Sequence, residues 1–155
     1  MIIVVRAREE DLERILSIQR AAFTSEAEFY GDFTISPLHQ TLEELRAEFK
    51  AKILLKAIVD QKLLGSVRVS LSGTACLVER LVVDPAAQKR GVGSALLAAA
   101  EAIYSEARTM ELFTGAKSEW NIRFYEKRGY ARFPEESLSG KVPLVCMRKR
   151  PQATR

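Results

Sequence analysis

The chain has 155 residues, of which 47% are hydrophobic and 28% charged, and its formal net charge is +4. This length fits one compact domain, which we place at residues 1–150, followed by a basic tail at residues 151–155. No apolar run approaches the roughly 20 residues of a transmembrane helix, and the start lacks a signal-peptide pattern, so we expect a cytoplasmic protein with no membrane contact.

Metal and nucleic-acid functions are disfavoured by the residue types present. The chain has a single histidine, His39, and two separated cysteines, Cys76 and Cys146, which form no familiar zinc pattern. The basic residues are scattered and are not interleaved with aromatic residues, so we expect no metal and no nucleic-acid partner. The positive excess suits an anionic, polyphosphate-bearing ligand equally well.

The first half of the sequence predicts a strand, two helices and three further strands. The β-branched run Ile2 to Arg6 predicts a strand, and apolar residues at helical spacing predict a helix from Glu9 to Phe23. Ser25 to His39 is interpreted as a loop. Thr41 and Glu44 form a capping-box pattern that opens the second helix. The strands that follow are Ile53 to Val59, Leu63 to Leu71 and Ala75 to Val83, the first two joined by a turn at Asp60 to Lys62.

The second half predicts a crossover unit and a closing pair of strands. Its elements are a helix at Gly91 to Arg108, a strand at Met110 to Thr114, a helix at Ser118 to Arg128, and strands at Tyr130 to Pro134 and Val142 to Lys149. The order is β-α-α-β-β-β-α-β-α-β-β. A hairpin-rich half followed by a βαβ crossover predicts an α/β fold with a mixed sheet and helices on both faces.

A possible phosphate-binding segment follows the strand that ends at Asp84-Pro85. Lys89 and Arg90 supply positive charge, and Gly91 and Gly93 open a helix, whose first turn has free N–H groups and the positive end of the dipole. A Rossmann pattern would need a third glycine where Leu96 stands. The alternative is that the two glycines only make a tight strand-to-helix turn.

A second motif adds a family resemblance. Gln88-x-x-Gly91-x-Gly93 resembles the Q/R-x-x-G-x-G/A signature of the GNAT (Gcn5-related) N-acetyltransferases, and the heptapeptide Phe124 to Tyr130 resembles their F-Y-E-K-x-G-[FY] segment. The family's order of elements matches the predicted one over almost the whole chain. The resemblance implies the GNAT fold, acetyl-CoA as co-substrate, and a bulged strand before the proline that splays away from its neighbour.

The resemblance also implies which residues hold acetyl-CoA. The backbone of Leu81, Val82 and Val83 would contact the pantetheine arm. The diphosphate would lie on Gln88, Lys89, Arg90, Gly91, Val92, Gly93 and Ser94. Many members have an asparagine seven residues before the motif tyrosine; here Ser118 occupies that position and Asn121 lies nearby, so either could contact the arm. Ser118 could instead be only a helix N-cap.

Two residues are implied in the chemistry. Tyr125 stands where many members have a tyrosine that protonates the departing thiolate, although it could simply pack beside Phe124. Glu79 stands where many have a glutamate that accepts the amine proton, often through water, although it could simply pair with Arg80 or a lysine.

The resulting prediction is an acetyl-CoA-dependent N-acetyltransferase that acts by direct attack of a primary amine in a ternary complex. The acceptor is expected to be a small molecule, its choice set by the segment Ser25 to Gln40. The alternatives are a non-catalytic acyl-CoA-binding module and an acetyltransferase for protein N-termini or lysines. The oligomeric state stays open, a homodimer included.

Overall fold

The computed structural model describes residues 1–151, without the side chains of residues 134–139. Residues 152–155, most of the predicted basic tail, lie outside the described residues. The strands are β1 (Ile2–Arg6), β2 (Ile53–Val59), β3 (Lys62–Ser72), β4 (Ala75–Val83), β5 (Thr109–Gly115), β6 (Ala131–Ser139) and β7 (Val142–Lys149). The helices are α1 (Leu12–Tyr30), α2 (Ser36–His39), α3 (Leu42–Ala51), α4 (Val92–Ile103) and α5 (Glu119–Glu126).

All seven strands form one mixed sheet in the order β1-β2-β3-β4-β5-β7-β6. Neighbouring strands are antiparallel except β4 and β5, which the α4 crossover makes parallel. Side chains alternate along each strand, so adjacent Leu54 and Leu55 enter different cores. Leu55 packs with α4 and Ile122 of α5, whereas Leu54 packs with α1 and α3. The predicted fold class, a mixed sheet with helices on both faces, is therefore confirmed.

The structure corrects one stretch of the predicted order. Residues 25–39 are not a loop, because α1 continues to Tyr30 and a short helix, α2, follows. Gly31, with φ of 65°, ends α1 in the left-handed conformation that glycine adopts without strain, and the N–H of Asp32 bonds the Ala27 carbonyl at 3.0 Å. Smaller differences are that α4 ends at Ile103 and β6 continues to Ser139.

Strand β4 is bulged and then leaves β5. Arg68 of β3 pairs with Glu79 and Ser66 pairs with Val82, so two residues of β4 stand opposite one of β3. Arg80 takes up the extra length with φ of 52°. Pairing between β4 and β5 is confined to Ala75–Leu77 of β4, and β4 then runs on to Val83 without it. The expected splay between these two strands is present.

Within residues 1–151, none of the helices is both long enough and apolar enough to cross a bilayer.

Candidate active site

A cleft of about 890 Å³ occupies the gap where β4 and β5 separate. Its walls come from both strands, the start of α4, α5, the second half of α1 and residues 35–37. All residues assigned to the site from the sequence line this cleft except Arg90 and Ser118. The fold therefore gathers two distant sequence motifs around one concave space.

One end of the cleft is formed by the start of α4. Gly91, with φ of 84°, immediately precedes the helix, and no side chain caps the helix there. A Cβ added at Gly93 would lie 3.5 Å from the Phe124 ring, which is ordinary contact, so protein packing does not demand a glycine at this position. A tight turn therefore explains Gly91 but not Gly93. An uncapped first turn with no side chain at Gly93 fits an anion that approaches the backbone closely.

Arg128 is a cleft residue that the sequence motifs did not single out. Its guanidinium lies 3.7 Å from the centre of the Phe124 ring and donates to the Phe124 carbonyl at 2.8 Å. Its Nε is 3.4 Å from Ser94 Oγ in the first turn of α4. Among the described side chains, no carboxylate forms an ion pair with it. The sequence motif does contain Arg128, which occupies the variable position of the F-Y-E-K-x-G segment.

Glu79 lines the cleft but is held by a cation. Lys52 Nζ lies 2.9 Å from the Glu79 carboxylate and 2.9 Å from that of Glu48. Glu48 also pairs with Arg68, whose side chain is only 1% exposed. Burial opposes the charge of Lys52, but the hydrogen bonds that its ammonium donates to Glu48 and Glu79 leave its pKa raised. The lysine-paired alternative for Glu79 is thus observed, together with its position at the cleft.

The same network of ion pairs lies beside the β4 bulge. Arg68 is buried between the sheet and α1, where it bonds Gln19 and Glu48. Burial lowers the pKa of Arg68 to about 10. Arg80 follows Glu79 in the bulge, and burial lowers the pKa of this guanidinium too, against the favourable charges of Glu48 and Glu79. A network of charged side chains therefore surrounds the β4 bulge where the two strands part.

Tyr125 projects from α5 into the cleft. Its ring packs edge-on against Phe124, with 5.2 Å between centroids, so the packing alternative is also observed. Burial first, and then the charge of Glu26, raise the pKa of Tyr125. Within the described part of the chain, no side chain hydrogen-bonds the Tyr125 hydroxyl. The phenol is therefore protonated at neutral pH and its hydroxyl is available to a ligand.

Ser118 and Asn121 have different surroundings. Asn121 lines the cleft, whereas Ser118 is completely buried behind it. Ser118 occupies the N-cap position of α5, but its hydroxyl does not cap the helix. The hydroxyl instead contacts the side chains of Glu26 and Tyr30 on α1.

Glu26 is the second cleft residue that sequence reasoning missed. It lines the cleft, and its Oε1 accepts a hydrogen bond from Ser118 Oγ at 3.1 Å. Burial raises the pKa of this carboxyl group, and the Ser118 hydrogen bond offsets part of that effect. The sequence did not single out Glu26, because the interpretation of residues 25–39 as a loop did not predict where its side chain would point.

His39 is not among the residues that line the cleft. Its side chain is exposed, and Nε2 is 2.7 Å from the Phe33 carbonyl oxygen. In the described portion of the chain, no three or more His, Cys, Asp or Glu side chains are grouped to hold a metal ion.

Solved structures with the same fold include several N-acetyltransferases. The PaiA N-acetyltransferase of Thermoplasma acidophilum, solved in complex with coenzyme A, superposes with a TM-score of 0.80 at 20% identity, covering 97% of this chain and 99% of that one. The ribosomal-protein-S18-alanine N-acetyltransferase of Escherichia coli gives 0.76 at 15% identity, covering 100% and 97%. The ribosomal-protein-alanine N-acetyltransferase of Brucella melitensis gives 0.76 at 18% identity, covering 96% and 99%.

No curated protein matches the sequence. The acetyltransferase (GNAT) family matches residues 12–130, which include α4, α5 and the two strands that part, β4 and β5. Because this match spans most of the chain, and the splayed sheet and the fold agree with it, the protein belongs to the GNAT family of acetyltransferases.

Proposed function

We propose that the protein transfers an acetyl group from acetyl-CoA to the primary amine of a small molecule, with both substrates bound together. The observation that carries the proposal is the parting of β4 from β5. It leaves a cleft with an uncapped helix start at one end and the Tyr125 hydroxyl within it. The CoA complex of a protein with the same fold supports acetyl-CoA as the donor.

The diphosphate of the donor would lie at the start of α4. The backbone N–H groups of Val92, Gly93 and Ser94 would bind it, with charge from Lys89 and Arg90. Gln88 and Gly91 shape the approach, and Arg128 adds a cation beside Ser94. The pantetheine arm would follow the β4 backbone at Leu81, Val82 and Val83, as an added strand follows a sheet edge.

The donor supplies an activated acetyl thioester, and the chain supplies orientation and proton transfer. A backbone N–H of Leu81 to Val83 would stabilise the negative charge on the carbonyl oxygen. Tyr125 would give its proton to the departing sulfur. From the resemblance, Glu79 would take the amine proton through water. Holding both substrates in one cleft makes a covalent enzyme intermediate unnecessary.

A small acceptor is favoured by the size of the cleft. The cleft is also lined by Phe23 and Glu26 of α1, by Ile35 to Pro37, and by Val142 and Leu144 of β7. Its volume of about 890 Å³ lies in the range of small-molecule sites. As part of the same proposal, residues 1–150 act as one domain in the cytoplasm, with the tail at 151–155 outside the catalytic unit.

Two measurements test the proposal together. Isothermal titration should show acetyl-CoA binding at micromolar concentration. A product assay should then detect acetylation within a panel of small primary amines, with peptides bearing a free N-terminus or a lysine as the comparison. Binding without any product would favour the non-catalytic module, and preferred peptide acetylation would favour a protein acetyltransferase. No binding at high micromolar acetyl-CoA would end the proposal.

A further inference from the structure

Three polar side chains converge on Gly115 at the end of β5. A Cβ added to Gly115 would overlap Tyr30 Oη, Ser118 Oγ and Glu26 Oε1. Gly115 and Glu26 both line the cleft, whereas the completely buried Ser118 lies behind it. The absence of a side chain at position 115 therefore lets a carboxylate of α1 approach the parting of the two central strands.

The hydrogen bonds of this cluster all run from Lys117 towards Glu26. The Lys117 N–H donates to Tyr30 Oη at 2.8 Å, so the Tyr30 hydroxyl is free to donate to Ser118 Oγ, 3.0 Å away. Ser118 in turn donates to Glu26 Oε1 at 3.1 Å. The chain of donors ends on the carboxylate and fixes its position. A carboxylate at the end of such a chain only accepts hydrogen bonds, and its remaining lone pairs can take up a proton.

Glu26 differs from Glu79 in its charged surroundings. Among the described side chains, no basic group forms an ion pair with Glu26, in contrast to Glu79, which Lys52 holds at 2.9 Å. A partly buried, unpaired carboxylate costs folding free energy, and such a cost is commonly found at functional sites. Glu26 is also close enough to Tyr125 for its charge to act on the phenol.

We infer that Glu26 is the group that takes the proton from the acceptor amine, with Ser118 and Tyr30 as positioning residues. The inference rests on the proposed function and gives Glu26 the part that the resemblance gives to Glu79. As the neutral amine forms the new C–N bond, its surplus proton passes to Glu26. The C–S bond breaks and sulfur receives the Tyr125 proton. Afterwards the proton on Glu26 returns through solvent to Tyr125, which restores both groups.

The pH dependence follows from the same geometry. Burial raises the pKa of Glu26, so the group becomes an active base only at a higher pH than an exposed glutamate would. On its own helix the titratable neighbour is Tyr30. The charged and titratable groups that line the cleft from other elements are Glu79 and Arg80 of β4, Lys89 before α4, Glu111 of β5, Tyr125 of α5 and Arg128 after it.

The test compares Glu26→Gln with Glu28→Gln, an exposed glutamate on the same helix. With an amine that the wild type acetylates, Glu26→Gln should lower kcat by about 100-fold or more and remove the carboxylate ionisation from the acid limb of kcat/KM, leaving only the ionisation of the amine itself. Acetyl-CoA affinity by titration should be unchanged. Glu28→Gln should match the wild type in every respect. Ser118→Ala removes the hydrogen bond that lowers the Glu26 pKa, so its acid limb should move to higher pH.

A second readout needs no substrate. Because the unpaired Glu26 carboxylate is destabilising when ionised, Glu26→Gln should be at least as stable as the wild type in urea unfolding at pH 7. A purely structural glutamate would instead lose stability on substitution.

Several outcomes would overturn the inference. Wild-type kcat in Glu26→Gln would do so, as would a carboxylate ionisation in the acid limb that persists there but disappears in Glu79→Gln, which returns the base to Glu79. In both cases acetyl transfer by the wild type leaves the proposed function intact. Failure of the wild type to bind acetyl-CoA or to acetylate any amine would overturn both.

Discussion

The Nε atom of Arg128 lies 3.4 Å from the hydroxyl oxygen of Ser94, although the two residues are 34 positions apart in the chain. This approach joins the glycine motif at the start of α4 to the aromatic motif of α5. It also adds a guanidinium to a helix terminus that already attracts anions. The two motifs therefore form one surface, which we propose binds the diphosphate.

Arg128→Gln should weaken acetyl-CoA binding by roughly 10-fold to 100-fold, since a hydrogen bond to a charged group contributes about 1.5–3 kcal/mol. The rate at saturating acetyl-CoA should change less than the affinity, because the guanidinium acts on Tyr125 only through its charge. Arg123→Gln is the matched control, as Arg123 is an exposed arginine on α5, five residues before Arg128. Equal affinities in the two variants, measured by titration calorimetry, would remove Arg128 from the donor site.

Gly91→Ala tests the helix start. The substitution places an L side chain at φ of 84°, although there is space for its Cβ, so its effect is conformational strain of about 1–2 kcal/mol. Relief of that strain should distort the first turn of α4 and weaken acetyl-CoA binding. Gly73→Ala carries comparable strain at φ of 61° in the distant β3–β4 turn. The Gly73→Ala variant should lose a similar amount of stability but keep its affinity for acetyl-CoA. Loss of acetyl-CoA affinity in both variants would show a general folding effect.

Tyr125→Phe should lower kcat by about 100-fold while acetyl-CoA affinity falls by less than about threefold. The reason is that the hydroxyl is needed only when the sulfur departs. Tyr130→Phe is the comparison, since Tyr130 packs beside Tyr125 but its hydroxyl donates to Glu101 at 2.7 Å. That variant should lose about 1 kcal/mol of stability with kcat retained. Unchanged turnover of Tyr125→Phe with several amines would remove it from the acid role.

Asp32 should make stability depend on pH in the acid range. Hydrogen bonds from the Thr34 side chain, the Thr34 N–H and the Lys141 N–H hold the pKa of Asp32 below its ordinary value. A depressed folded pKa stabilises the protein above the unfolded pKa of about 3.9, and this contribution disappears as pH falls through the folded value. Wild type should thus exceed Asp32→Asn in unfolding free energy by a constant amount from pH 7 to 5.

That difference should shrink between pH 4 and 3 in urea titrations. Asp60→Asn, in an exposed turn, should stay within about 0.5 kcal/mol of wild type throughout. A difference between wild type and Asp32→Asn that stays constant down to pH 3 would contradict the assignment.

Much of the fold followed from local patterns. The capping box at Thr41 and Glu44 forms as expected, with hydrogen bonds in both directions. The hairpin connection narrows to Asp60 and Gln61, both with positive φ, although neither is the glycine that such turns favour. The parting of β4 from β5 was implied by the family resemblance and not by any periodicity.

The acceptor side was harder to predict because its sequence signals conflict. Thr24 and Ser25 weaken the helical pattern after Phe23, yet Thr24 Oγ1 is satisfied by the Arg20 carbonyl at 2.6 Å and α1 continues. Glu26 becomes recognisable only once that helix places it beside Gly115 and Ser118. Likewise, the pairing of Glu79 with Lys52 joins residues 27 positions apart, a contact that no local spacing reveals.

A crystal structure with CoA tests the proposed donor site most directly. The diphosphate should lie within hydrogen-bond distance of the Val92, Gly93 and Ser94 amides, and the sulfur within about 4 Å of Tyr125 Oη. CoA bound outside the gap between β4 and β5, or with its sulfur directed away from Tyr125, would contradict it.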